Sequence, residues 1–442
     1  RLGDEVAVTA DEPLDLRRLD VYPSEISVDR MLLALHDFVL KGSERRRDLL
    51  LGRRDPAFGE TATPGTYVDN NEAQDRAVRR AVAAEDCALV HGPPGTGKTY
   101  TIARLVRALV ARGDRVLLSA FTNRAVDNAL EALRDQGFED VVRYGTETGV
   151  RDDMGDLRLT ARGDPNERAA ELRGAPVVAA TTAGCASRTL TQEEFDVAVV
   201  DEASQLTEPG TLAAVNRAER FVLVGDHRQL PPVVRAETDL RTSLFERLID
   251  AYPEASVLLD RQYRMGQRIQ AFPSREFYDG ALRPATPTVA RRRLDDLSGV
   301  DTDTLPADLR DAVAFVDPDG RRDGNVNRAE ADRVAEVVES YLAAGVEPDD
   351  VGVIAPFRAQ VAEIGERVDV TVDTVDRFQG SSEEVIVVSF VAAGDLEGPI
   401  FEDHRRVNVA LTRAKRALCL VGDADALGSE PFYERMLDWA RR

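Results

Sequence analysis

Lysine is almost missing from this chain. Of its 57 basic residues only Lys41, Lys98 and Lys415 are lysine, and the rest are arginine. Cysteine is as scarce: Cys87, Cys185 and Cys419 stand far apart in apolar stretches, which excludes a disulfide framework or a thiolate metal site and marks them as small core residues. His36, His91, His227 and His404 are too scattered for a metal cluster, although His91 and His227 adjoin the motifs described below. No apolar run approaches the about 18 residues of a membrane span, and no charged-then-apolar leader points to secretion. The expectation is a cytoplasmic protein without membrane contact. Positive charge is in deficit, 79 acidic residues giving a net charge of -22. That balance ordinarily speaks against a nucleic-acid partner. Together with the replacement of lysine by arginine and 6% aromatic residues, it also resembles a protein of a high-salt cytoplasm. At about 1 M salt the Debye length is about 3 Å, so surface charges barely repel. Counterion release then drives nucleic-acid binding only weakly, and such binding would rest on stacking and short hydrogen bonds.

The 442 residues exceed one typical domain. The chain begins with Arg1 and not methionine, which suggests a piece of a longer protein. Residues 1–65 hold short alternating runs (Val6 to Thr9, Leu14 to Val21), a helix-like stretch from Asp29 to Leu40 and a mixed-charge segment, Ser43 to Arg54. They read as the end of an accessory domain and its connection. From Asn70 onward, strand and helix patterns alternate, as in a parallel sheet. Residues 66–255 form a first α/β core, with strands expected at Cys87–Val90, Arg115–Ser119, Val177–Ala180, Val197–Val200 and Phe221–Val224. Within it, about 135–175 is polar, lacks periodicity and reads as an insertion. Residues 256–442 form a second core, with strands expected at Ala312–Val316, Val351–Ile354, Val370–Val372, Val385–Val388 and Ala417–Val421.

One of the three lysines closes Gly92-Pro93-Pro94-Gly95-Thr96-Gly97-Lys98-Thr99. This is a P-loop: glycines let backbone N–H groups turn inward, the lysine reaches β- and γ-phosphates, and the threonine hydroxyl serves Mg²⁺. In a chain that otherwise uses arginine, a compact ammonium here is a chemical choice, because a planar fork does not fit between phosphates. The apolar run Cys87 to Val90 precedes the loop. Ile102, Leu105, Val106 and Leu109 give helical periodicity after it, so a helix N-terminus faces the phosphates. About a hundred residues on, Val199-Val200 ends in Asp201-Glu202, a strand-end pair suited to holding a metal and activating water. Then Leu223-Val224-Gly225-Asp226-His227-Arg228-Gln229-Leu230-Pro231-Pro232 supplies a glutamine able to sense a γ-phosphate.

This ordered series resembles the superfamily 1 helicases. Leu258-Leu259-Asp260-Arg261-Gln262-Tyr263-Arg264-Met265, Val351 to Gln360, Thr374-Val375-Asp376-Arg377-Phe378-Gln379-Gly380 and Arg405 to Ala414 look like their later motifs. The wording is most similar to the branch that contains the nonsense-mediated-decay RNA helicase and the Okazaki-fragment nuclease-helicase. The resemblance implies two tandem RecA-like domains with ATP and Mg²⁺ between them, Thr99 and Asp201 on the metal and Glu202 as base. It implies Gln229 as coupling residue, Arg264 and Arg413 at the γ-phosphate, Asn71 and Gln74 reading adenine, and Tyr263 stacked on it. Phosphate contacts fall to Gly92 through Thr99. Nucleic-acid contacts fall to Thr122 and Asn123, Thr181 and Thr182, Pro356, Phe357 and Arg358, and Thr374, Asp376 and Gln379. Ser382 departs from the pattern, standing where the family usually carries an acidic residue, with Glu383 and Glu384 following.

The resemblance further implies 5′ to 3′ movement along a single strand, with DNA favoured over RNA, a monomeric motor, and an upstream nuclease or accessory module. The alternatives are an RNA helicase, a translocase that does not separate strands, and an ATP-dependent switch for a protein partner.

Overall fold

A computed structural model describes residues 25–59, 66–159, 164–234, 239–318, 320–394 and 396–442. The runs expected at Val6 to Thr9 and Leu14 to Val21 lie outside them. The first sheet contains β1 (Cys87–His91), β2 (Val116–Ala120), β3 (Val141–Arg143), β4 (Val177–Thr181), β5 (Phe195–Asp201), β6 (Ala218–Gly225) and β7 (Ser256–Leu258), in the order β3-β4-β2-β5-β6-β1-β7. A two-stranded ladder, β8 (Arg261–Gln262) with β9 (Arg283–Pro284), follows. The second sheet takes β10 (Val313–Val316), β11 (Val351–Ala355), β12 (Thr371–Thr374), β13 (Glu383–Ser389) and β14 (Ala414–Val421) in the order β10-β14-β13-β11-β12. Every pairing in both sheets is parallel.

Parallel sheets bury both faces, and the strands show it. Along β2, Val116, Leu118 and Ala120 join one apolar core while Leu117 points into the other. In the helix Lys98–Ala111, Ile102, Leu105, Val106 and Leu109 are all buried against the sheet. Helix starts are set by side chains that accept from their own first turn, as Asn71, Thr122 and Asn327 do. The helix Glu25–Lys41 covers the expected Asp29 to Leu40 and packs on Glu208–Val215.

The segment read as an insertion is partly built into the sheet. Val141–Arg143 forms β3, a strand too short to show a period in sequence. It is secured by Arg143, whose guanidinium is fully buried and donates to Asp127 at 2.8 Å, Asn123 Oδ1 at 2.9 Å and the Tyr144 carbonyl at 2.7 Å.

In the second core, Glu330 is fully buried; Ser389 Oγ and the Val391 N–H donate to it at 2.6 and 2.7 Å. Val391 sits at φ 54, a strained value for a β-branched residue, and Glu330 holds it there. Burial pushes the Glu330 carboxyl up to about 7, outweighing the donors that favour its charge. The folded protein therefore binds this proton more tightly than the unfolded chain. Its contribution is full below the ordinary glutamate value and is lost as pH rises to about 7. Glu330→Gln is expected to remove this slope, on the order of 3 kcal/mol between pH 4.5 and 7. Thermal unfolding of both proteins across that range checks it, and parallel curves would refute it.

Candidate functional site

The ends of β1, β5 and β6 in the first core meet elements of the second core across a cleft of about 690 Å³. The loop after β1 carries Gly92 to Thr99, with Pro93, Pro94 and Thr96 buried. It is braced internally: Thr96 Oγ1 donates to the Pro93 carbonyl at 2.7 Å, and Gln74 Nε2 donates to the Thr96 carbonyl at 2.8 Å. Lys98 Nζ donates to the Gly92 carbonyl at 2.7 Å, and its stem lies so close that a Cβ on Gly92 would meet Cγ at 2.3 Å. Gly95, at φ 74, lies against Arg264, whose Cβ would be 2.6 Å from an added Cβ. The Tyr263 N–H donates to its carbonyl at 2.8 Å. Only glycine satisfies both the backbone sign and the contact.

Asp201 ends β5 and is buried; Glu202 follows with φ 52, and Gln205 Nε2 donates to its Oε2 at 2.8 Å. Burial, with Glu202 beside it, pushes the Asp201 carboxyl up to about 7. Thr99 lines the same cleft. A buried acid whose charge is disfavoured, next to a second carboxylate and a hydroxyl, suits a divalent cation brought in by a phosphate ligand.

From the second core come Arg264 and Arg413. Arg413 is 2% exposed and donates to the Val409 carbonyl, the Ser381 carbonyl, Thr412 Oγ1 and, at 3.2 Å, to Gln229 Oε1 across the cleft. Arg264 donates to the Thr412 carbonyl at 3.0 Å. Burial lowers Arg264 to about 10 and Arg413 to about 9, and Arg264 adds to the effect on Arg413. Neither guanidinium, nor Lys98, makes an ion pair among the described residues. Three cations without a direct ion pair, lining one cleft beside Asp201 and Glu202, describe a site for a polyanion and its metal.

Gln229 is held by Asp226 within a network that includes one residue the sequence did not single out, Tyr278. Gln229 Nε2 donates to Asp226 Oδ2 at 2.6 Å, and Tyr278 Oη donates to the same oxygen at 2.7 Å. His91 Nε2 lies 2.9 Å from Asp226 Oδ1, and Asn408 Nδ2 donates to Tyr278 Oη at 2.8 Å and to the Arg228 carbonyl at 2.7 Å. Burial works against the Asp226 charge, but His91 above all holds the carboxyl well below its usual range. Burial and the neighbouring His91 lower His227 to about 4, and the two rings lie 4.6 Å apart. Asp226 and Asn408 stood inside quoted motifs, while Tyr278 stood in none. Removing its hydroxyl strips Asp226 of a donor at the seam between the cores. Tyr278→Phe is expected to lower stability by about 1–3 kcal/mol. A denaturation midpoint indistinguishable from wild type would refute this.

The adenine-side expectations divide. Tyr263 is 40% exposed and free to stack. Asn71 is buried; its Oδ1 caps a helix by accepting from Gln74 N, and its Nδ2 donates to Tyr263 Oη at 2.9 Å. Its amide thus links the start of this helix to the Tyr263 hydroxyl. Gln74 has one donor committed to the P-loop. On the strand side, Thr122 and Asn123 are exposed beside Phe121, although the Thr122 hydroxyl also caps its helix. Thr182 is buried, and the half-buried Thr181 accepts from Gly184 N and so caps the turn after β4. Pro356 and Phe357 are half-buried and Arg358 exposed, with Arg322 5.2 Å over the Phe357 ring. Thr374 is half-buried. Asp376 and Gln379 line the interdomain cleft, and Asp376 accepts twice from Arg406 at 2.8 Å. Ser382 also lines the cleft, while Glu384 pairs with Lys415 and Arg416, and Glu202 and then Glu383 favour the charge on Arg264 against its burial.

A P-loop and strand-end carboxylates in one parallel core, faced by the buried Arg413 and half-buried Arg264 from a second, define a nucleotide-driven motor of two RecA-like domains. The comparisons specify it further. Family profiles described as AAA domain match residues 69–164, 157–237 and 240–425. An uncharacterized ATP-dependent helicase of Methanocaldococcus jannaschii is 31% identical over 96% of this chain and 78% of its own length. DNA polymerase alpha-associated DNA helicase A of Schizosaccharomyces pombe is 31% identical over 98% and 77%. The DNA replication ATP-dependent helicase/nuclease DNA2 of Xenopus laevis is 36% identical over 83% of this chain, which spans 38% of that longer protein. A solved arterivirus nonstructural protein 10 helicase aligns loosely, at TM-score 0.46 and 18% identity over 80% of this chain and 63% of its own. The chain belongs to the superfamily 1 helicases, in the branch of the replication nuclease-helicase and the nonsense-mediated-decay helicase, and is an ATP-hydrolysing helicase.

Proposed function

We propose that this motor moves 5′ to 3′ along single-stranded DNA, driven by hydrolysis of ATP bound between the two cores. The observation that carries the mechanism is the convergence of Lys98, Arg264 and Arg413 on the cleft that contains Asp201 and Glu202. In this reading Lys98 and the backbone of Gly92 to Thr99 hold the β- and γ-phosphates. Tyr263, steadied by Asn71, stacks on the base. Thr99 and Asp201 would hold Mg²⁺, which would draw charge from the phosphate oxygens and fix their geometry. Glu202 takes the proton of the attacking water. Arg264 and Arg413 offset charge that builds on the transferring group, and Gln229, held between Asp226 and Arg413, senses whether the γ-phosphate is present. Its bond to Arg413 already joins the cores, so breaking it on phosphate binding would change how they pack.

For the track, exposed Thr122, Asn123 and Arg358 offer hydroxyl, amide and guanidinium donors, and Phe121 and Phe357 offer rings. Donors of this kind serve phosphates without bulk positive charge. The preference for DNA is supported by the likeness to the DNA replication helicase/nuclease and to the DNA polymerase alpha-associated DNA helicase. Nucleic-acid-stimulated ATP hydrolysis, compared with single-stranded DNA and RNA of the same sequence, tests it. DNA is expected to stimulate more strongly. Equal or greater stimulation by RNA would overturn the substrate, and no stimulation by either would overturn the motor reading. Displacement of a strand from duplexes tailed at one end or the other tests polarity.

A further inference from the structure

A second cavity, of about 650 Å³, opens in the second core. Seven arginines and only two aspartates, Asp295 and Asp311, line it, on a chain whose net charge is -22. Arg416 is neutralised by Glu384 and Asp296, at 2.7 and 2.9 Å. The other six make no ion pair among the described residues. Arg291, Arg293 and Arg442 are exposed, and their side chains make no hydrogen bond among the described residues. Arg268 donates only to the Trp439 carbonyl, and Arg310 to the carbonyls of Leu305 and Asp303. Elsewhere the chain matches its arginines with carboxylates freely, as at Arg151, Arg367 and Arg435. A concave surface where it does not do so is set up for an external anion.

The cavity is separate from the proposed track. Asp311 and Ala312 precede β10 and Arg416 lies at the start of β14, whereas Pro356 to Arg358 follow the end of β11. In a wholly parallel sheet these are opposite edges. It is nevertheless joined to the motor. Arg292 lines both cavities and donates to the carbonyls of Tyr263, at 3.1 Å, and Arg264, at 2.6 Å. We propose that this cavity binds a run of phosphate groups, either inorganic polyphosphate or the backbone of a nucleic-acid segment off the track, and reports its occupancy to Arg264 through Arg292. Guanidinium forks match phosphate oxygens two at a time, and several around one cavity favour a chain of phosphates over a single anion.

The test uses the full chain carrying Lys98→Ala, which weakens the P-loop as a competing anion site. Inorganic tripolyphosphate is expected to bind in a calorimetric titration, and R291E/R293E on that background to weaken it by about tenfold or more. Both side chains are exposed and unbonded, so the unfolding temperature should hold, and R291Q/R293Q provides a second variant without reversed charge. Displacement of tripolyphosphate by a short blunt DNA duplex identifies nucleic acid as the source, and failure of the duplex to compete identifies free polyphosphate. No binding to the parent, or equal affinity in the charge-reversed variants, overturns the proposal.

Discussion

Arg413→Lys is expected to cut the turnover of ATP by about 10³-fold or more while changing its apparent affinity only a few-fold. The residue is buried, and its planar fork makes simultaneous bonds to the Ser381 carbonyl, Thr412 Oγ1 and Gln229 Oε1. A lysine keeps the charge but reaches one such acceptor at a time, and as a point charge it cannot spread over the oxygens of a transferring phosphoryl group. Ground-state phosphate binding rests mainly on the P-loop, which the substitution leaves alone. The loss should therefore fall on the chemical step. Burial already lowers Arg413 to about 9, and a lysine, with a lower intrinsic value, would lie nearer neutrality and regain activity at lower pH. Steady-state ATP hydrolysis at several pH values, alongside nucleotide binding, separates the two effects. A loss of less than tenfold at every pH would remove Arg413 from the transition state.

Much of this site was legible because its chemistry is tied to short, ordered blocks. Lys98, Asp201, Glu202, Gln229, Arg264 and Arg413 lie in different elements and meet in one cleft. The inner strands of the second sheet were legible for a related reason, since burial on both faces makes Val351–Ala355 and Val385–Val388 continuous apolar runs, whereas the edge strand Thr371–Thr374 is not buried. What was not legible depends on partners distant in sequence. Tyr278 becomes informative only when packing brings it to Asp226, 52 residues away. Nothing in the sequence sets Arg143 apart from the other arginines, and only the fold shows it fully buried against Asp127 and Asn123. For Asn71 the resemblance implies a base contact; that it also caps Glu72–Ala83 and gives an amide hydrogen to Tyr263, 192 residues away, shows only in the fold. The arginine cavity escaped for the opposite reason: in a chain this rich in arginine, Arg291-Arg292-Arg293 carries no signal until its neighbours prove to lack carboxylates.

Glu202→Gln is expected to lower turnover by about 10²–10⁴-fold while nucleotide binding survives. The substitution is nearly isosteric, and an amide oxygen can still accept from Gln205 Nε2, so the local geometry should hold. It also removes the like charge that helps push Asp201 up to about 7, so the variant should be at least as stable as the parent. Backbone conformation offers a second, independent check. Glu202 sits at φ 52, where a non-glycine residue is strained by about 1–2 kcal/mol. Glycine would relieve that strain, so a residue kept there for folding alone would be improved by Glu202→Gly. If instead the carboxylate is the base, Glu202→Gly should match or exceed the parent in unfolding temperature and still lose hydrolysis to the extent that Glu202→Gln does. Strain tolerated at a position where glycine is stabilising but inactive ties the backbone distortion to placement of the carboxylate at the attacking water. A Glu202→Gly protein that hydrolyses ATP at the parental rate would sink both the assignment and that reading of the strain.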